Sequence, residues 1–200
     1  MTKHQKIKQM TITAILAALI IILAFLPIKT MALEITLTII PITIGLIIGG
    51  PVVGAILGFI FGMVSFLQCL GYSAFGNVLL SINPFLTFLV CVPTRVLAGW
   101  LAGLVYRVLD KHLSKNIISI AVVSILMPLL NTIFFMSTLV ICFYKTDYIQ
   151  GFVEILGAAN PLSFIILFTG INGLVEIICG AVISLPVAKA LTMYMAKEEK

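Results

Sequence analysis

Two side chains that carry full charge stand inside long apolar runs: Arg95 in the run near 85–107 and Glu176 in the run near 162–188. A charge held in hydrocarbon is costly, commonly faces a protein-lined cavity, and marks a functional site by default. Depth follows from helical rise. Counted inward from Phe85, Arg95 lies about 15 Å from its helix start; counted from Leu162, Asn172 lies at about the same depth, with Glu176 one turn further. Asn131, counted back from Cys142, comes out near ~16 Å. A planar guanidinium, two amides and a carboxylate from three different runs therefore fall in one layer, an arrangement suited to recognising a small polar solute. The competing reading is intramembrane glue, in which Arg95 and Glu176 pair with each other and both asparagines bond neighbouring backbone. A buried ion pair contributes uncertain net stability, so the pocket is preferred. Asn83 and Glu34 join the candidate substrate-binding set from the connections above this layer. Phe66, Tyr72 and Phe75 supply aromatic surface there, either to line a small-molecule site or to anchor the chain at the membrane interface.

Catalytic chemistry is thinly represented. His4 and His112 both fall outside the apolar runs, and the chain has no HExxH, GxSxG or GxxxxGK[ST] motif. An enzyme of those common types, or an ATPase of the phosphate-loop type, is not expected. Ser65, Ser81, Ser124 and Ser137 have no visible base, and hydroxyls in apolar helices usually bond their own backbone. Cys69, Cys91, Cys142 and Cys179 show no CxxC spacing, so they are expected to be small buried residues, with a Cys69–Cys142 bridge as the minor alternative. Neither a metal nor a cofactor is expected.

The elements that hold the polar layer follow from composition. In 200 residues, 62% are hydrophobic and only 10% charged, against about half and about a quarter in a soluble domain. The chain is expected to be an all-α integral membrane protein, one transmembrane domain over residues 1–200. Runs long enough to cross roughly 30 Å of hydrocarbon fall near 9–27, 35–49, 51–69, 85–107, 116–143 and 162–188, which predicts six spans. The first has a basic start like a signal peptide but no small-residue cleavage site after Pro27, so it is expected to be retained.

The net charge of +5 reports topology, since the basic residues form no patch suited to nucleic acid. Lys3, Lys6, Lys8, Arg107, Lys111, Lys115, Lys189, Lys197 and Lys200 flank one side, and Lys29 and Lys145 the other. Both termini are therefore expected in the cytoplasm. Gly49-Gly50-Pro51 is too short for anything except a tight antiparallel helix pair. Asn83-Pro84 and Asn160-Pro161 each combine a favoured N-cap with a first-turn proline, so the fourth and sixth spans should start sharply there. Gly50, Gly54, Gly58 and Gly62, and again Gly99 and Gly103, recur at every fourth residue and form flat strips for close helix packing; Trp100 is placed against such a strip.

Ala14-x-x-x-Ala18 in the first span, the Ile40-Pro41, Gly50-Pro51, Gly54-Ala55 series and the Val92-Pro93-Thr94-Arg95 element, taken in order along a six-span chain of this length, resemble the substrate-binding S components of energy-coupling factor (ECF) vitamin transporters. The resemblance covers essentially the whole chain. In members of the family arginine directly follows the proline, whereas here Thr94 intervenes. The resemblance implies an S-component-like bundle that captures a water-soluble vitamin at the outer face. A transmembrane coupling subunit and two ABC-type ATPases would be its partners, with Ala14 and Ala18 as the surface for the coupling subunit. Pantothenate is the vitamin expected first, because Arg95, Asn131 and Asn172 suit a flexible anion with amide and hydroxyl groups. The alternative is a self-sufficient secondary permease acting as a homodimer, whose internal repeat would be the echo between Asn83-Pro84 and Asn160-Pro161.

Overall fold

A run of apolar side chains in lipid must satisfy every backbone polar group internally, and the helix does so within one segment. The computed structural model describes residues 3–26, 28–29, 34–35, 37–113 and 117–198. Its elements are α1 (Lys3–Ala24), a two-residue antiparallel pair β1 (Ile28–Lys29) and β2 (Glu34–Ile35), then α2 (Ile39–Gln68), α3 (Ala74–Ile82), α4 (Pro84–Cys91), α5 (Pro93–Leu113), α6 (Ile117–Phe143), α7 (Asp147–Ile155) and α8 (Pro161–Glu198). Among the described residues, five stretches are long and apolar enough to cross a membrane: Lys6–Ala24, Ile39–Gln68, Pro84–His112, Ile117–Phe143 and Asn172–Tyr194. The shorter apolar Pro161–Gly170 precedes the last of them.

The expected helix pair at Gly49-Gly50-Pro51 is a reversal within α2. Gly50 takes φ 76° and ψ −167°, a conformation open to glycine and strained for other residues. A Cβ added to Gly54 would stand 3.0 Å from the Leu46 Cβ, although residues eight apart on a straight helix are separated by about 12 Å. The arm before the turn, 39–49, rises only about 16 Å, half the thickness a full span needs. The arm is therefore too short to count as a stretch of its own, and the five long stretches with the shorter Pro161–Gly170 agree with the expected all-α membrane bundle. The last helix also outruns its expected end near 188, reaching Glu198.

The glycine strips interlock α2 with α5. A Cβ on Gly54 would strike the Gly99 carbonyl, one on Gly58 the Arg95 carbonyl, one on Gly62 the Val92 Cα at 2.8 Å, and one on Gly103 the Pro51 Cα at 2.5 Å. Backbones at this separation leave no room for a side chain, so the spacing of four is a packing device. Trp100, expected against such a strip, is 42% exposed. Polar side chains fasten α1 at both ends: Gln9 Nε2 donates to the Gly49 carbonyl at 3.1 Å and Gln68 Nε2 to the Ala24 carbonyl at 2.6 Å.

The connections that lead into Pro84 and Pro161 contain short helices, α3 and α7. Each starts on a hydroxyl cap: Ser73 Oγ accepts from Gly76 N at 3.3 Å, and Thr146 Oγ1 from Ile149 N at 3.5 Å. The apolar interior is divided. One cluster, including Leu46, Leu57, Ala98, Ala102 and Met127, binds α1, α2, α5 and α6. A second, including Phe75, Leu79, Met136, Phe143, Ile149 and Phe164, lies beneath α3 and α7.

Candidate functional site

Between these two clusters lies a cavity of about 120 Å³, walled by α2, α3, α4, α5, α6 and α8. Its lining is organised by helical period. Phe61, Ser65, Gln68 and Cys69 line it from α2; Asn131, Thr132, Phe135 and Met136 from α6; Thr169, Asn172, Gly173 and Glu176 from α8. Residues three and four apart share a helix face, so each helix turns one stripe inward, mixed polar and aromatic from α2 and α6 and without an aromatic from α8.

Arg95 is the most constrained of these groups. It is 8% exposed; its Nη1 donates to the Cys91 carbonyl at 2.9 Å and more weakly to the Val90 carbonyl at 3.5 Å. Its guanidinium carbon lies 4.5 Å from the Phe61 ring centroid and 5.0 Å from that of Phe135, close enough for cation–π attraction to both. Glu176 lines the same cavity from α8. Arg95 Nε and Asn131 Oδ1 are buried with no hydrogen-bond partner among the described residues. A buried donor or acceptor left unpaired costs about 1–3 kcal/mol, which makes these two atoms candidate contacts for a bound solute.

A family model for the substrate-specific component of ECF transporters matches residues 8–188. The chain belongs to this family. It is thus a substrate-specific subunit of a transporter, resident in the cell membrane as a multi-pass protein, and membership implies association with an ECF coupling subunit and ATPases. No curated protein matches the chain in sequence.

Within this S component, Arg95, Asn131, Asn172 and Glu176 all stand on the cavity. Asn83 does not: its Oδ1 accepts from Leu86 N at 3.1 Å as the cap of α4, and it is absent from the lining. The same residue type that favours ligand binding also favours helix starts, and here the cap claims it. Asn160 behaves alike, accepting from Ser163 N at 2.8 Å. Glu34 contributes backbone to β2, and its side chain lies outside the described residues. Of the aromatics, Phe75 lines the cavity, while Phe66 packs edge-on to Phe88 and Tyr72 edge-on to Phe25. Ala14 and Ala18 are exposed on α1.

Sequence reasoning missed Gln68, Thr87, Thr132, Thr169 and Gly173. Their signal was present in part, since Thr169, Asn172, Gly173 and Glu176 follow helical spacing on one face. The four cysteines are free and Cys69 and Cys91 are buried, as expected; the minor alternative of a Cys69–Cys142 bridge does not form. Cys69 lies beside Cys91, with sulfurs 3.9 Å apart, not beside Cys142.

Proposed function

We propose that this S component captures a water-soluble vitamin in the Arg95 cavity from outside the cell. A coupling subunit and two ABC-type ATPases then drive delivery inward, with Ala14 and Ala18 forming the contact surface on α1. The observation that carries this reading is the convergence of Arg95, Asn131, Asn172 and Glu176 on one cavity between two apolar clusters. In such a site the guanidinium would take an anionic group, held by its fixed fork geometry. Asn131 and Asn172 would select for amide or hydroxyl groups, because a site built around buried polar atoms rejects analogues that leave them unpaired. Phe61, Phe75, Phe135 and Met136 would cover the apolar body of the solute, as in most small-molecule sites.

Pantothenate, an anion with one amide and two hydroxyls, fits this inventory best. Small exposed side chains at Ala14 and Ala18 support the coupling surface, since they let a partner helix approach closely. Reconstitution tests the division of labour. Vesicles holding the chain together with its coupling subunit and ATPases should accumulate radiolabelled pantothenate only when ATP is supplied. Accumulation by the chain alone in ATP-free vesicles would instead establish a self-sufficient permease.

A further inference from the structure

Cys69 and Cys91 end two different helices and meet in the cavity wall. Cys69 caps the C-terminus of α2, and Cys91 is the last residue of α4, just before the junction with α5. Both are free and 4% exposed, and both face the cavity, which gives small solutes a route to sulfurs otherwise sealed from the surroundings. Their Sγ atoms are 3.9 Å apart. Around the pair, Cys69 Sγ approaches the Ser65 carbonyl at 3.3 Å and Ser65 Oγ approaches Cys91 Sγ at 4.0 Å. Arg95 Nη1 donates to the Cys91 carbonyl at 2.9 Å, which sets a cation beside the pair, and a cationic neighbour is characteristic of reactive cysteines.

We infer that Cys69 and Cys91 form a redox-active dithiol in the cavity wall, a modification site that a peroxide entering the cavity closes to a disulfide. One sulfur attacks the peroxide and becomes a sulfenic acid, releasing one water. The second sulfur then attacks the first, forming the S–S bond and expelling the hydroxyl, which leaves as a second water. Two thiols lose two electrons and two protons, and hydrogen peroxide takes them up as two waters. Closure requires the sulfurs to approach from 3.9 Å to about 2.05 Å. The α4–α5 junction can yield to this, because Pro93 has no N–H to bond the preceding turn.

The consequence for the site runs through the backbone of Cys91. Arg95 Nη1 is held by the carbonyls of Cys91 and Val90, so drawing Cys91 toward Cys69 moves the anchor of the guanidinium. This consequence, unlike the dithiol itself, rests on the transport reading. The experiment therefore has two independent readouts on the full-length chain, purified reduced in detergent and treated with hydrogen peroxide. The first is peptide mass spectrometry after alkylation. The expected result is a Cys69–Cys91 cross-link lacking two hydrogens, reversed by dithiothreitol, with Cys142 and Cys179 still alkylated. Full alkylation of Cys69 and Cys91 after peroxide, or cross-linking to another cysteine, would overturn the proposal. The second is binding of radiolabelled pantothenate, which should weaken at least about tenfold on oxidation, equivalent to ~1.4 kcal/mol, and should lose this sensitivity in the C69S/C91S variant. A cross-link with unchanged pantothenate affinity would overturn the link to Arg95. Failure of the reduced protein to bind pantothenate would count against the choice of vitamin and leave the cross-link result to decide the dithiol.

Discussion

Arg95 and Asn83 illustrate how one polar side chain in an apolar chain differs from another. Arg95 spends Nη1 on carbonyls one turn back and keeps Nε buried without a partner among the described residues. Asn83 spends its Oδ1 on the first turn of α4. Substitutions should separate the two roles. Asn131→Ala is expected to weaken vitamin binding at least about tenfold with little loss of folding, because Asn131 lines the cavity and its Oδ1 has no partner among the described residues. Asn83→Ala should instead cost about 1 kcal/mol of stability, the usual worth of an N-cap, and leave affinity within about twofold. Equilibrium binding and thermal unfolding on both variants check the pair of outcomes. At this scale the full charges and asparagines were legible, because their cost in lipid demands a reason. The threonines were not: Thr87 and Thr169 both bond back to their own helix, at 2.9 Å and 2.6 Å, so a hydroxyl in an apolar run says nothing of which way it points until the neighbouring helices are placed. The thiol pair was hidden by the 22 residues that separate its members.

The elements position the site through the contact of α2 with α5. Gly58 lets α2 rest against the Arg95 carbonyl, and Gly62 lets it rest against Val92. The glycine strip therefore sets where the guanidinium stands as well as how tightly the bundle packs. Gly58→Val should push α5 away, destabilise the protein by about 1–3 kcal/mol as overpacking typically does, and weaken vitamin binding in the same variant. Gly151→Ala serves as the contrast, since nothing lies within 4 Å of a Cβ there; it should change stability by less than about 1 kcal/mol. Detergent-solubilised melting curves measure both. The strips and the two Asn-Pro starts were readable from spacing alone. The helices α3 and α7 were not, because nine residues each are too few to show a convincing period, and their hydroxyl caps resemble ordinary loop residues. The length of the first arm of α2 was overestimated because Leu37 and Thr38 continue the apolar run without joining the helix.

For the whole molecule, polarity is segregated by end. Lys8 lies over the Tyr194 ring at 4.5 Å, and Gly103 abuts Pro51. Apart from Arg95, which lines the cavity, the basic positions of α1, α5 and α8 therefore gather at the end away from α3 and α7. By the positive-inside rule that end faces the cytoplasm, which in the proposed cycle opens the cavity outward. The proposed partner surface on α1 contributes no residue to the cavity lining, so binding and coupling should be separable. Ala18→Trp is expected to spare vitamin affinity while abolishing ATP-driven uptake in reconstituted vesicles. Uptake at the wild-type rate would remove Ala14 and Ala18 from the coupling surface.

The central claim is that this S component holds a vitamin through the Arg95 cavity. Mass spectrometry of small molecules that co-purify with the wild-type chain and with Arg95→Ala tests it most directly. A water-soluble vitamin, pantothenate first, should accompany the wild type at close to one per chain and be lost from Arg95→Ala. A wild-type chain that carries and binds no vitamin, or an Arg95→Ala chain that retains it undiminished, would contradict the account.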